Sequence, residues 1–239
     1  MNFYGVRVYD MAESIVASGF PMLSKPYTER EWEEEVRNLK LNMEFSLNRM
    51  LEDTNKFSVK ELNELIGNKE NNTDYYRATK HMKRALNLGS AKSGSGHDNF
   101  CKGILVSFNM KADQSFWLQW ERYSHQSTVS SHSSMYCITK FDVEDVFSEY
   151  VDLRVLEVLK ELIDEYNNNP TPENFHKVIH NCPEGLQLTR RVTTNYLQLK
   201  TMYEQRKHHK MFAWNKDFVR LVESLPLFFE ITGLKRKDV

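Results

Sequence analysis

The stretch QWERYSHQSTVSSHSSMY, Gln119 to Tyr136, decides how the chain is read. Ser124, Ser127, Ser130, Ser131, Ser133 and Ser134 are interleaved there with His125 and His132. Such a segment is poor core material. Three readings are open: a polar loop, the nucleophile region of a hydrolase, or a ligand-binding motif. Acyl transfer needs a nucleophile, a base and an orienting third group. No GxSxG elbow is present, so the hydrolase reading is disfavoured.

Upstream, CKGILVSFNMK alternates apolar Ile104, Val106 and Phe108, which predicts a strand over Gly103–Met110. It is preceded by the loop SAKSGSGHDN. That loop lacks the Lys of a P-loop and the full GxGxxG pattern, so taken alone it is flexible chain. Further back, FYGVRVYDM reads as a strand. Thr28 and Glu31 fit a capping box ahead of Trp32, Val36, Leu39 and Met43 at helical spacing. Ser58 and Glu61 fit a second one, opening a helix that ends at Gly67. KENNTDYYRATKHMKRALNLG reads as a polar turn and then a helix.

Downstream, Asp142 is placed to cap a long helix with Val151, Val155, Leu159, Leu162 and Tyr166 on one face. Thr171 and Pro172 start the next helix. PEGLQLTRRV reads as a turn into an extended or irregular stretch. The segment from Thr193 to Pro226 reads as one long helix or two joined ones. Leu199, Met202, Tyr203 and Phe212 are expected in its core stripe. His97, His208 and His209 lack the spacing of a metal site, and no metal is expected.

Composition sets the outer limits. A chain of 239 residues with 40% apolar and 12% aromatic residues can build a sizeable core. No linker demands a division, so one domain over 1–239 is expected. The formal net charge of −1 gives no bulk attraction to nucleic acid or anionic membrane. Neither partner is expected. Three cysteines without a CxxC pair argue against a disulfide scaffold or a structural zinc site. With no visible signal peptide or membrane span, a cytoplasmic protein is expected.

The order of these features resembles the flavin-dependent thymidylate synthases. In that family a Gly-His turn leads into an apolar strand, a Gln-Trp or similar pair, and then R-H-R-x-x-S-x-N-E-x-S-x-R-Y. Here Gly96–His97 match the turn and GILVSFNM the strand. Gln119–Trp120 match the pair. Arg122 falls on the first motif Arg, Ser127 on the first Ser, Ser133 on the second and Tyr136 on the last Tyr, with one extra residue inside. Asn195, Leu199 and Arg206 stand at the spacing of the family helix N-x-x-S-L-x-x-F-x-x-x-R, with Trp214 near a familiar downstream Trp. The resemblance covers roughly residues 90–230; it is weaker over 25–90. The copy is degenerate. Tyr123 and Ser124 replace the His and second Arg, the Asn-Glu pair is lost around Thr128 to Ser131, and Met135 replaces the last Arg. Leu197 stands where the family often has Arg, and Lys102–Gly103 replace an acidic-histidine pair.

The resemblance implies an α+β fold, a mixed or antiparallel sheet flanked by long helices like the thymidylate synthase-complementing protein. It implies methylation of dUMP to dTMP with reduced FAD, methylenetetrahydrofolate and NADPH. Arg206 and Ser133 would be the catalytic groups. His97, Arg122 and Asn195 would hold FAD. Gln119, Ser127, Tyr136 and Arg206 would hold dUMP, in sites shared by a homotetramer. Two alternatives remain open: a non-catalytic homologue that keeps the fold for binding, and an enzyme acting on another pyrimidine nucleotide. Such divergence would suit a viral or phage-like copy, which would work in host cytoplasm.

Overall fold

The computed structural model describes residues 1–52, 73–92 and 94–237. The helix expected to open at Ser58 lies outside them. The chain groups into two compact units. One comprises Met1–Arg7 and Val106–Leu225, the other Val8–Leu105 and Pro226–Val239.

The first unit carries an antiparallel sheet of four strands in the order β1-β2-β4-β3. These are β1 (Asn2–Tyr9), β2 (Leu105–Asp113), β3 (Ser127–Ser131) and β4 (Gln187–Asn195). The two expected strands therefore form, as β1 and β2. Val106, Phe108, Met110 and Ala112 of β2 are all buried, as period-two alternation requires. The serine stretch is the polar edge strand. All five residues of β3 are exposed, and Ser127 pairs with Thr193 and Ser131 with Arg190. An irregularity between Thr128 and Ser130 interrupts the ladder. Edge strands commonly carry polar faces and bulges, which discourage pairing with another sheet.

Short helix α4 (Gln114–Trp120) follows β2, where the Asp113 side chain accepts from the Phe116 N–H. After β3 come α5 (Ser134–Cys137), α6 (Val143–Val146), α7 (Leu153–Asn168) and α8 (Pro172–His180). Thr171 caps α8 with Pro172 at its first turn, as expected. Asp142, expected to cap the long helix, caps only the four-residue α6. Asp152 caps α7 instead, because the chain first bridges Phe147 to Leu186 and turns at Ser148–Val151. The buried face of α7 is Leu156, Leu159 and Ile163, while Val155 is exposed.

The segment after Thr193 is not one helix. Val192, Thr193 and Thr194 are β-branched and stay in β4. Asn195 then caps α9 (Tyr196–Arg206). A π-helical turn, Ala213–Phe218, runs into α10 (Val219–Glu223). Leu199, Met202 and Tyr203 are buried as expected, but Phe212 is exposed because it precedes the turn that carries Trp214 inward. The core of this unit is aromatic. Phe116 and Trp214 lie 4.2 Å apart by ring centroid, and Trp120 stacks on Trp214 at 6.2 Å.

The second unit holds α1 (Met11–Ala17), α2 (Glu29–Glu52), α3 (Thr73–Gly89) and α11 (Phe228–Thr232). The first capping box forms. The Thr28 N–H donates to Glu31 at 2.8 Å, and the Glu31 N–H donates back to Thr28 Oγ1 at 3.3 Å. That arrangement holds the Glu31 carboxyl below its ordinary value. Gly89 ends α3 against the backbone of α11. A Cβ there would stand 1.7 Å from the Ile231 carbonyl oxygen, so no larger residue fits. Among the described residues no helix is long and apolar enough to cross a membrane.

Candidate functional site

Helix α9 presents two faces. Tyr196, Leu199, Met202 and Tyr203 are buried. Gln198, Thr201, Gln205 and Arg206 line an open cleft of about 470 Å³ with Arg122, Tyr123, Ser124 and His125. Cofactor and ligand sites commonly fall in this size range. The loop that forms the other wall is stapled down. The His125 N–H donates to Gln198 Oε1 at 3.1 Å, and Thr194 Oγ1 donates to the His125 carbonyl at 3.0 Å. Asn195 sets the start of the helix by accepting the Gln198 N–H at 2.8 Å.

Arg206, in the last turn of α9, is half-buried and braced. Its Nε donates to Tyr123 Oη at 2.7 Å and its Nη1 to Gln119 Oε1 at 3.3 Å. The guanidinium lies over the Trp214 ring at 4.7 Å and the Tyr123 ring at 5.5 Å. Gln119 is itself engaged on both ends of its amide. Its Oε1 also accepts from Trp214 Nε1 at 3.0 Å, and its Nε2 donates to Met211 Sδ at 3.0 Å. Tyr123 donates onward to Gln205 Oε1 at 3.0 Å. Glu204, the neighbour that would pair a surface arginine, bonds Lys207 instead at 2.7 Å. Arg206 Nη2 has no partner among the described residues, so one end of the fork remains available on the cleft. His209 packs against Trp214, and its Nδ1 accepts the Met211 N–H at 3.2 Å. Burial, with Arg206 and Lys210 nearby, holds its pKa below the ordinary value.

Gln119 and Arg206 thus meet in one network, with Arg206 on the cleft and Gln119 behind it, while Arg122 lines the same cleft outside that network. The Arg122 side chain is exposed and unpaired among the described residues. Asn195 caps the start of α9 and Arg206 stands in its last turn. Ser127 is on the edge strand β3. Ser133 caps the short helix α5 by accepting the Tyr136 N–H at 3.3 Å, and Tyr136 is exposed. His97 belongs to the other unit, exposed on a turn, with its N–H donating to Ser95 Oγ at 3.4 Å. Sequence reasoning missed Gln198, Thr201, Gln205 and the part of Tyr123. The signal was available for the first three, since 198, 201 and 205 recur at helical spacing on the polar side of α9. Nothing in the sequence announced that Tyr123 would meet Arg206.

The fold is α+β, with an antiparallel sheet and helices, and is of the flavin-dependent thymidylate synthase type. Two solved structures show the likeness. One is the flavin-dependent thymidylate synthase ThyX of Helicobacter pylori in complex with FAD and dUMP, at a TM-score of 0.53 and 13% identity, covering 72% of this chain and 90% of that one. The other, also Helicobacter pylori ThyX with FAD and dUMP, gives a TM-score of 0.50 at 13% identity, over 64% of this chain and 81% of that one. At that identity the likeness concerns the fold. No family model matches the chain, and no curated protein matches it by sequence.

Proposed function

We propose that the chain is a divergent flavin-dependent thymidylate synthase-like protein, methylating dUMP to dTMP in a cleft built around Arg206. The observation that carries this reading is the bracing of Arg206. A half-buried guanidinium, fixed by two hydrogen bonds and two aromatic rings, keeps one end of its fork on an open cleft. That arrangement suits a pyrimidine carbonyl, because a planar fork with fixed charge matches it. As the ring takes on electron density during attack on the carbon donor, Arg206 would stabilise the negative charge on that oxygen without reorganising. Thr201, Gln205 and Ser124 offer further polar contacts, and the exposed Arg122 suits a phosphate.

Arg122, an unpaired cation on the cleft, suits the phosphates of a flavin, and Asn195, outside the cleft lining, caps the helix whose side chains form it. These two would hold FAD. Reduced FAD supplies the hydride when bound, methylenetetrahydrofolate the carbon, and NADPH the reducing equivalents. FAD is much larger than a mononucleotide, and the cleft alone is of mononucleotide size. A homotetramer in which another copy completes the site accommodates both. Ser133 would act as a hydrogen-bonding group rather than a nucleophile, since its Oγ already caps α5.

The second reading is a binding protein that has lost turnover. The loss of the Asn-Glu pair and the exposure of all of β3 favour it. One experiment separates the two. The purified chain is given FAD, dUMP, methylenetetrahydrofolate and NADPH, and dTMP is measured. Turnover that falls about a hundredfold in Arg206→Ala supports the enzyme. Binding of FAD and dUMP without dTMP supports the second reading. Turnover unaffected by Arg206→Ala overturns the assignment of the site.

A further inference from the structure

The segment HKVIH, His176 to His180, puts two imidazoles one helical turn apart on α8. Residues four apart on an α-helix are offset by about 40° and rise about 6 Å, so their side chains share a face. The two rings lie 5.7 Å apart by centroid and 18° from parallel. Both are exposed, and neither makes a hydrogen bond or ion pair among the described residues.

The helix under them is fixed. Thr171 Oγ1 accepts the Asn174 N–H at 3.2 Å, and the Asn174 amide donates to the Asn169 carbonyl at 3.0 Å. Val178 is fully buried, and Phe175 and Ile179 pack on the same core as Leu159 and Ile163. Lys177, the cation between the two histidines in sequence, is turned to Glu165 and Asn174 at 2.8 and 3.1 Å. The imidazole pair is therefore presented on a packed element, with the nearest cation already engaged.

We propose that His176 and His180 bind a divalent transition-metal ion, of the Zn²⁺ or Cu²⁺ class, in a site open to water. Imidazole nitrogen suits these metals, whereas Mg²⁺ and Ca²⁺ take oxygen ligands. A pair at this spacing on one helix face is the arrangement by which HExxH helices hold zinc. Here Lys177 stands where that motif has its general base, so the site binds without hydrolysing. Among the described residues no group of three His, Cys, Asp or Glu could hold an ion, so water fills the remaining positions. This ion takes no part in the nucleotide cleft, and the inference does not rest on the proposed reaction.

The test is calorimetric titration of the full chain with Zn²⁺, and then Cu²⁺, in a non-chelating buffer. Wild type is compared with His176→Ala and His180→Ala, and with a His208→Ala/His209→Ala control. The His176, His180 and His208 side chains are exposed and His209 is half-buried, and far-ultraviolet circular dichroism checks that each variant folds. The expected result is one ion per chain, bound tenfold or more weakly by either single variant and unchanged in the control. The proposal is overturned if wild type binds neither ion, if either single variant keeps wild-type affinity, or if the control weakens as much.

Discussion

Two arginines, one in each unit, sit in side-chain networks of similar size and come out differently. Arg84 in α3 donates Nε to Ser18 Oγ at 3.0 Å and Nη2 to the Ile15 and Val16 carbonyls at 3.1 Å each. Its Nη2 also meets His81 Nδ1 at 2.7 Å, and His81 Nε2 bonds Glu35 at 2.9 Å. Gly19 leaves room for the guanidinium, since a Cβ there would stand 2.5 Å from its carbon. These carbonyls lie in the last turn of α1, where Ile15 also accepts from Ser18 Oγ and Val16 from the Gly19 N–H, so Arg84 helps close a helix terminus. Arg206 is held as firmly, but its network ends on an open cleft. A guanidinium used up on backbone is structure, and one braced with a free end is equipped for a ligand.

The largest expected effect is on ligand and rate. Arg206→Ala should lower turnover about a hundredfold while shifting the unfolding midpoint little, and Arg206→Lys should rescue only part of it because the fork is lost. Arg84→Met should do the reverse. It removes hydrogen bonds to two α1 carbonyls and the contact with His81, and should destabilise the fold by about 2 kcal/mol, allowing for partial exposure. Denaturant titration checks it, with dUMP affinity unchanged per folded molecule. If both substitutions act alike, the contrast between the two arginines fails.

Tyr123→Phe comes next. It removes the oxygen that accepts from Arg206 Nε but keeps the ring, so the fork loses aim but not its stacking. Turnover should drop several-fold, about 1 kcal/mol for one hydrogen bond, mostly in kcat if Arg206 acts on the reacting ring. A drop confined to stability would make Tyr123 a packing residue only.

The smallest effect is in pH dependence. Burial, outweighing the Glu35 hydrogen bond, holds the His81 pKa below its ordinary value. Burial does the same to His209. The unfolded chain then binds more protons than the folded one below about pH 6.5. Stability should fall as pH drops from there toward the depressed folded values. His81→Gln should flatten that slope in midpoints measured between pH 7 and 5.

Much of this fold was legible in local pattern. The alternation of Val106, Phe108 and Met110, the box at Thr28–Glu31 and the Thr171–Pro172 start all depend on neighbours in sequence. The segment Thr193–Asn195 was not legible as strand, because its pairing partner on β3, Ser127, is polar and more than sixty residues away. The cleft was half legible. Arg122 and Arg206 stood at motif spacing, but the meeting of Arg206 with Tyr123 and Gln119 joins residues 83 and 87 positions apart. By motif, Tyr123 replaces an expected His. In the folded chain it is the acceptor that aims Arg206.

The measurement that bears most directly on the account is calorimetric titration of dUMP into the FAD-treated chain, for wild type, Arg206→Ala and Arg84→Met. Saturable binding is expected for wild type and Arg84→Met, with a loss of tenfold or more in affinity in Arg206→Ala, as for a charge-assisted hydrogen bond. Equal affinity in wild type and Arg206→Ala, or no dUMP binding by the folded wild type, would contradict it.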